Sequence, residues 1–455
     1  MSTSNAERRA RDRSRTLAIG IGTSVISRGL AAATPVLVIP IGLGYLGAAG
    51  YGVWAIALSV AGFVAFADLG VGSGLMTKLG QVAQGEVWDA GEAKRYVSSA
   101  YVMLTGVTGF GLALLFGSAP FVDWHEFLGV EGDQRAALDP IVLATLSAFV
   151  VNMFASLVVR VQYGVGQQGR SNLWQAGASA LTLAATVLAA RLDPGPGWFV
   201  AMAAFAPVLV GLLNTLVFFA ATPLGRSIAP SFGAFRGDVL TRLVLLGSKF
   251  LVLSLLMTAS IALDPWIVAR TSDLTDVPNF AIPFRVFAFL TAFSVVLTLP
   301  LWPMHSSAVA SGEVTWIRRI TRRMTLANTV VSGATAVLAV LFGPQLVGIW
   351  LDGEIPSEPV LWGGLGLWWF VQSATGPAFM VQNGAEVLAP QLLGYMLFLV
   401  AFPLKWWVSL DIDYVWIPYV GAGLYVLLIW PACLVGYRQA MVRAHAGAMS
   451  ETVEQ

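Results

Sequence analysis

Residues Gly50–Gly74, GYGVWAIALSVAGFVAFADLGVGSG, form an apolar run that carries a single acid, Asp68, into its second half. About 20 such residues cross a bilayer core of ~30 Å as a helix, so the run reads as a membrane span. The rest of the chain supports that reading. Of 455 residues, 57% are hydrophobic and 11% are charged, against roughly 25% charged in a soluble domain. Most of the surface must therefore face lipid.

Net charge is +1 and there is one cysteine, Cys433. This gives no general case for nucleic acid, and it excludes an internal disulfide and a cysteine-only metal cage. His125 with Glu126 lacks the second histidine of a zinc helix motif, and His305 and His445 have no companion at ligand spacing, so all three read as loop or interface residues. No catalytic constellation is evident, and the chain does not read as an enzyme.

Twelve apolar windows fall near 17–46, 52–76, 96–118, 139–162, 172–191, 197–221, 243–270, 278–304, 324–350, 360–381, 389–408 and 415–437. Arg8, Arg9, Arg11, Arg13 and Arg15 precede the first, whose length exceeds a 7–15-residue signal core, so it reads as a permanent helix behind a basic cytoplasmic tail. Pro35 and Pro40 predict a kink in the first window, and Pro283 and Pro300 one in the eighth. With the N-terminus inside, only Arg135, Arg191 and Arg270 of the 26 basic residues fall in outer loops. Arg28, Lys249, Arg285 and Lys405 fall inside spans, and the other 19 lie on the inner side. The positive-inside rule expects this asymmetry. The sequence thus predicts an all-α integral membrane protein with both termini cytoplasmic, placed multi-pass in the cell (plasma or inner) membrane.

An offset of 227 residues carries Gly50–Trp54 onto Val277–Ala281, Gly85 and Glu86 onto Gly312 and Glu313, and Thr16 onto Leu243. Six helices separate the copies, so the chain reads as two parallel six-helix lobes with pseudo-twofold symmetry, an arrangement that builds transporters with a midplane site. The expected order is a tail (1–16), an N-terminal lobe (17–221), a cytoplasmic linker (222–242), a C-terminal lobe (243–437) and a second tail (438–455). The loops of about 20 residues near 119–138 and 305–323 are too short to hold a soluble domain.

An ionisable group in a span costs at least ~2.5 kcal/mol on insertion scales, so each needs a partner or a watery cavity. Arg28 lies 12 residues after Thr16 and Asp68 ten before Lys78, placing both about 15–18 Å from the inner side at 1.5 Å per residue. Either they form a structural pair, or Asp68 holds a guanidinium that meets an anionic ligand; the two roles are compatible. Asp264 and Arg285 match in depth near the outer surface and form a second expected pair, structural or gating. Lys249 has no acid at its depth on a sequence neighbour, which suits it to negative charge. Lys405, beside Trp406 and Trp407, reads as an interfacial anchor. Gly42, Gly44 and Gly47 spell GxGxxG but follow no strand, so no dinucleotide site is expected. Gly70, Gly72 and Gly74 read as small residues for close helix approach.

The pattern GxxxYGxWxxxLSxxGxxxxxDLGxGxxL, Gly47 to Leu75, resembles the second-helix region of polysaccharide flippases, the Wzx-type O-antigen and teichuronic-acid exporters. Their superfamily also contains multidrug and toxin extruders. Leu246 to Ala269, with Ser254 and Asp264, is similar to that family's seventh helix, although Pro265 stands where the family commonly has a base. The resemblance implies alternating-access movement of an undecaprenyl-diphosphate-linked oligosaccharide to the outer leaflet for cell-surface polysaccharide biosynthesis. Arg28 and Lys249 would meet the diphosphate, and Asn152, Gln175 and Gln372 are candidate sugar contacts. Partners implied are the lipid-linked oligosaccharide, membrane lipids, a polysaccharide polymerase and glycosyltransferases, with no nucleic acid. No cofactor or metal is implied, and coupling to H⁺, Na⁺ or the membrane potential stays open. The alternatives are a cation-coupled multidrug extruder of the same fold and, third, a membrane glycan polymerase or ligase, which would want a larger outer loop. If Arg28 and Asp68 pair directly, exchanging them (Arg28→Asp with Asp68→Arg) restores transport that either single change abolishes; a double variant as inactive as the singles would refute the pairing.

Overall fold

The computed structural model of the chain describes residues 2–64, 70–82, 89–122, 135–272, 276–350 and 358–453. Every regular element among them is helical. The first helix, α1 (Ser2–Val64), contains Pro35 and Pro40 but leaves helical geometry at Gly47, whose φ of 69° no L-residue adopts cheaply. It is followed by α2 (Val71–Val82), α3 (Ala90–Ser118), α4 (Arg135–Ala155), α5 (Leu157–Gly164), α6 (Gln168–Leu192), α7 (Pro196–Ala221) and the short α8 (Pro223–Ser227). Next come α9 (Gly237–Thr271), α10 (Asp276–Thr298), α11 (Leu301–Ala310), α12 (Val314–Trp350), α13 (Pro359–Ser373) and α14 (Gly376–Gly384). The last are α15 (Ala389–Val400), α16 (Phe402–Asp411), α17 (Ile417–Leu424) and α18 (Trp430–Val453).

Among the described residues, nine helical segments are long and apolar enough to cross a membrane. They coincide with nine of the twelve sequence windows. Two of the nine carry a local break, at Ser156 and at Ala401, and the other three windows are interrupted so that no single described helix spans them. Window 52–76 runs through residues 65–69, outside the described set, and window 278–304 is split into α10 and α11 at Leu299–Pro300. Window 360–381 is split into α13 and α14 at Ala374–Thr375. The kink expected at Pro300 is this break, whereas Pro283 lies within α10 without one. His305, expected in a loop, is instead buried in α11 with its ring edge-on to Trp316, because the helix resumes after Pro300 and runs to Ala310.

The chain divides into two compact units between Ser248 and Lys249, inside α9. In the first unit, Leu75 and Leu79 of α2 pack with Val97 of α3, Val158 of α5 and Phe218 of α7. A second cluster joins Trp54 of α1, Ile141 of α4 and Phe199 of α7, with Tyr45 stacked on Phe199 at 4.4 Å. The second unit is built on aromatic residues: Phe280 and Phe287 of α10 meet Trp362 and Trp369 of α13. Apolar residues also cover the outside, including Phe110, Leu216 and Leu346, as expected of helices that face hydrocarbon.

The glycine clusters are packing devices. A Cβ on Gly42 would sit 3.1 Å from Trp54 and Tyr51, so the GxGxxG run serves the bend at Gly47. A Cβ on Gly70 would lie 2.1 Å from the Gly247 carbonyl oxygen and one on Gly74 3.2 Å from that of Leu243, which makes α2 a close-approach helix against the start of α9.

A repeat not drawn from the sequence emerges here. Val161-Gln162-Tyr163-Gly164 ends α5 and Val381-Gln382-Asn383-Gly384 ends α14, 220 residues later. Both ends close with the same turn. Gly166 and Glu386 take left-handed φ of 78° and 58°; their N–H groups donate to the carbonyls of Tyr163 and Asn383. The next N–H groups, of Gln167 and Val387, donate to the carbonyls of Gln162 and Gln382, completing a Schellman cap in each unit. The two glycines also repeat one contact. A Cβ on Gly164 would lie 2.7 Å from that of Leu79, and one on Gly384 would lie 2.6 Å from the Ser306 nitrogen; the 227-residue offset carries Leu79 onto Ser306. Gly384→Ala should therefore destabilise the protein by about 1–3 kcal/mol. Gly177→Ala, where nothing lies within 4 Å, should be neutral or slightly stabilising. Thermal unfolding in detergent checks the order; equal melting temperatures would contradict it.

Candidate functional site

In the first unit, polar side chains gather around residues 20–28 of α1. Asn172 of α6 is the hub: its amide donates to the Gly20 carbonyl at 3.1 Å, Thr23 Oγ1 at 3.0 Å and Ser24 Oγ at 2.8 Å. Its oxygen accepts from the Tyr163 hydroxyl at 2.5 Å. Tyr163 is placed there by the cap that ends α5, and its hydroxyl also meets Gln175. Arg28, half-buried one turn beyond Ser24, lies within electrostatic reach of Tyr163 and Arg160. Among the described residues Arg28 makes no ion pair, and Asp68, its expected partner, lies outside them. A reciprocal amide pair, Gln162 with Asn214 at 2.7 and 3.0 Å, fixes α5 to α7 nearby. This cluster presents a cation beside hydroxyl and amide groups, the chemistry that holds an anionic or sugar-bearing group.

In the second unit the structure corrects the expected pairing. Asp264 does not take Arg285. It takes Lys405, whose Nζ donates to both carboxylate oxygens at 2.7 and 3.0 Å. Only 1% of the Lys405 side chain and 3% of the Asp264 side chain are exposed, so Lys405 is not an interfacial anchor. The physical reason lies in the helix start. A break at Ala401 begins α16 afresh, which turns Lys405 inward while Trp407 faces out. The ammonium lies 5.0 Å from the ring centroids of Trp368 and Phe398, a cation–π cradle that supplies part of the lost hydration. Gly421 makes room for it: a Cβ there would lie 3.1 Å from Lys405 Cε and Nζ. Arg285 is exposed on α10 and makes no ion pair among the described residues. Lys249 is likewise exposed on α9 without an ion pair among them.

Of the candidate sugar contacts, Gln175 joins the Asn172 cluster. Asn152 and Gln372 act at helix breaks through their backbone carbonyls, which accept from the Ser156 nitrogen at 2.8 Å and the Thr375 hydroxyl at 2.9 Å. Asn172 and Tyr163 were not singled out from the sequence; the VQxG repeat, which places Tyr163 at a helix end, was the signal available. In the second unit Asn328 plays a comparable part, donating to Ser294 at 3.0 Å and to the Ser373 carbonyl beside the break that follows.

No protein-family model and no curated protein sequence matches the chain. Solved structures do. The chain is similar to the Vibrio cholerae MATE transporter VcmN in its bent form, with a TM-score of 0.79 and 15% identity over 97% of this chain and 99% of that one. A MOP superfamily transporter from Pyrococcus furiosus, described as having a binding pocket of reverse polarity, gives 0.77 and 14% over 96% of each chain. The outward-facing conformation of a multidrug resistance MATE family transporter gives 0.74 and 13% over 96% of each. The chain thus has the fold of those MATE transporters. At this identity the likeness concerns the fold, and it does not single out the polysaccharide branch.

Breaking one partner of a buried pair leaves an uncompensated charge, at a cost of about 3–5 kcal/mol, whereas replacing both by apolar residues is close to neutral. Lys405→Met should lower the melting temperature sharply and Lys405→Met with Asp264→Leu should recover most of the loss. Additive losses in the double variant would show that the two side chains act independently.

Proposed function

We propose that this chain is a multi-pass membrane exporter of the MOP type, moving an amphiphilic organic solute outward by alternating access. The observation that carries this reading is the fold, shared along nearly the whole chain with transporters of that superfamily. The interrupted helices fit the same reading. Breaks at Ser156, Leu299–Pro300 and Ala374–Thr375 provide the bending points and half-helix ends from which transporters of several folds build their sites. Export of small molecules, the activity named for one structural relative, is the substrate reading that the fold supports best.

The second reading, movement of a lipid-linked oligosaccharide diphosphate, is favoured by span charge. Asp264 is neutralised by Lys405, while Arg28, Lys249 and Arg285 make no ion pair among the described residues. Span cations without a counter-charge suit an anion better than a cationic drug, and the reverse-polarity relative provides a precedent for such variation on this fold.

One experiment separates the readings. The wild-type chain is expressed in a host lacking its own extruders, and efflux of ethidium and norfloxacin is measured beside surface glycan in the native cell with the gene deleted. Export of small molecules predicts efflux above the vector control with surface glycan intact. The diphosphate reading predicts no efflux, lost glycan, rescue by wild type, and no rescue by Arg28→Ala or Lys249→Ala despite normal membrane levels. Absence of efflux together with an unchanged glycan would overturn both readings.

A further inference from the structure

Within the second unit, a groove of about 730 Å³ runs between α12 and α18 and is floored by the break between α13 and α14. Its volume is that of a ligand site, and its lining contains none of Arg28, Lys249, Asn152, Gln175 and Gln372. Along α12 it is lined at intervals of three and four residues from Arg318 to Thr329, one face of the helix over about 16 Å. Trp430, Cys433, Leu434 and Tyr437 present the matching face of α18.

The groove is polarised along its length. Arg318 and Arg322, at i and i+4 on the same face, stand near the start of α12, with the Tyr437 ring opposite, facing Thr321 and Arg318. Neither arginine makes an ion pair among the described residues, and both are exposed. Farther along, the lining turns apolar. Leu326 is 66% exposed and Leu434 60%. Positive-inside counting puts the arginine end on the cytoplasmic side. A guanidinium pair at the inner interface, opening onto apolar surface, matches one chemistry: the phosphate of an amphiphile whose hydrocarbon stays in the bilayer. Guanidinium forks fit phosphate oxygens bidentately, and basic pockets between helices on the cytoplasmic side hold lipid headgroups.

We propose that this groove is a lipid-phosphate site, with the phosphate between Arg318 and Arg322 beside Tyr437 and the hydrocarbon along Leu326, Trp430 and Leu434. Its ligand comes either from an anionic phospholipid of the inner leaflet or from a polyprenyl phosphate. The site stands independently of which solute the protein exports. Bound phospholipid would tie the packing of α12 and α18 to the composition of the inner leaflet.

The test is native mass spectrometry of the full chain in detergent, titrated separately with phosphatidylglycerol, undecaprenyl phosphate and inorganic phosphate. One paired variant, Arg318→Gln with Arg322→Gln, alters the groove. Another, Arg319→Gln with Arg323→Gln, removes the same charge from outside its lining. The proposal expects a retained lipid whose affinity falls about tenfold or more in the first variant, since each charge-assisted contact contributes on the order of 1.4 kcal/mol or above, and stays near wild type in the second. Leu434→Trp, which fills the groove from its exposed edge without touching charge, should also expel the lipid and covers the case in which the arginine variant fails to fold. Preference for phosphatidylglycerol identifies a membrane phospholipid, and displacement of it by undecaprenyl phosphate identifies a polyprenyl ligand. Equal loss in both arginine pairs, lipid retained by Leu434→Trp, binding of inorganic phosphate as tight as that of either lipid, or no retained lipid would overturn it.

Discussion

Every backbone N–H and C=O that enters hydrocarbon must find a partner inside the protein, because an unsatisfied group costs several kcal/mol there. That constraint dictates helices, and it also dictates how they are interrupted. At Ser156, Leu299 and Thr375 the chain leaves α geometry, yet each nitrogen still donates, to the carbonyls of Asn152, Val295 and Gln372 respectively. The ends of α5 and α14 are closed by duplicated Schellman turns. Bends are therefore available at fixed places without exposing the backbone to lipid.

The same constraint governs charge. Asp264 and Lys405 are withdrawn from lipid together, bidentate and cradled by two aromatic rings, so the pair adds no net charge to the second unit's interior. Arg28 is treated differently. It is half-buried among hydroxyl and amide groups that can solvate a guanidinium without neutralising it. Lys405 is neutralised by its partner while Arg28 makes no ion pair among the described residues, a distinction that depends on the partners and cannot be made from depth alone.

Much of the fold was legible because hydropathy and the 227-residue offset are properties of composition along the chain. The three windows that were not recovered as single spans show what is not legible: Pro377 follows the break at Ala374–Thr375 much as Pro300 marks the other, but prolines such as Pro283 and Pro207 lie inside unbroken helices, so proline alone does not announce a break. The candidate site was less readable. Depth arithmetic matched Asp264 with Arg285 because both lie a similar distance from the outer loops, but helix rotation decides which base meets the acid, and rotation at α16 is reset by the break at Ala401. The flanking tryptophans of Lys405 suggested an interface for the same reason, since adjacent residues on a helix face different surroundings. Asn172 went unremarked because a lone amide in an apolar window carries no periodic signal until Gly20, Thr23, Ser24 and Tyr163 are brought to it.

The lone sulfur of the chain has a practical consequence. Cys433 is buried in the wall of the groove between α12 and α18, with its carbonyl accepting from Gln382 at 3.0 Å. Since the sequence has no other cysteine, the natural protein is already a single-thiol reporter. Its rate of alkylation by a small maleimide measures how often that wall opens, and a bulky occupant would shield it, with no engineered background required.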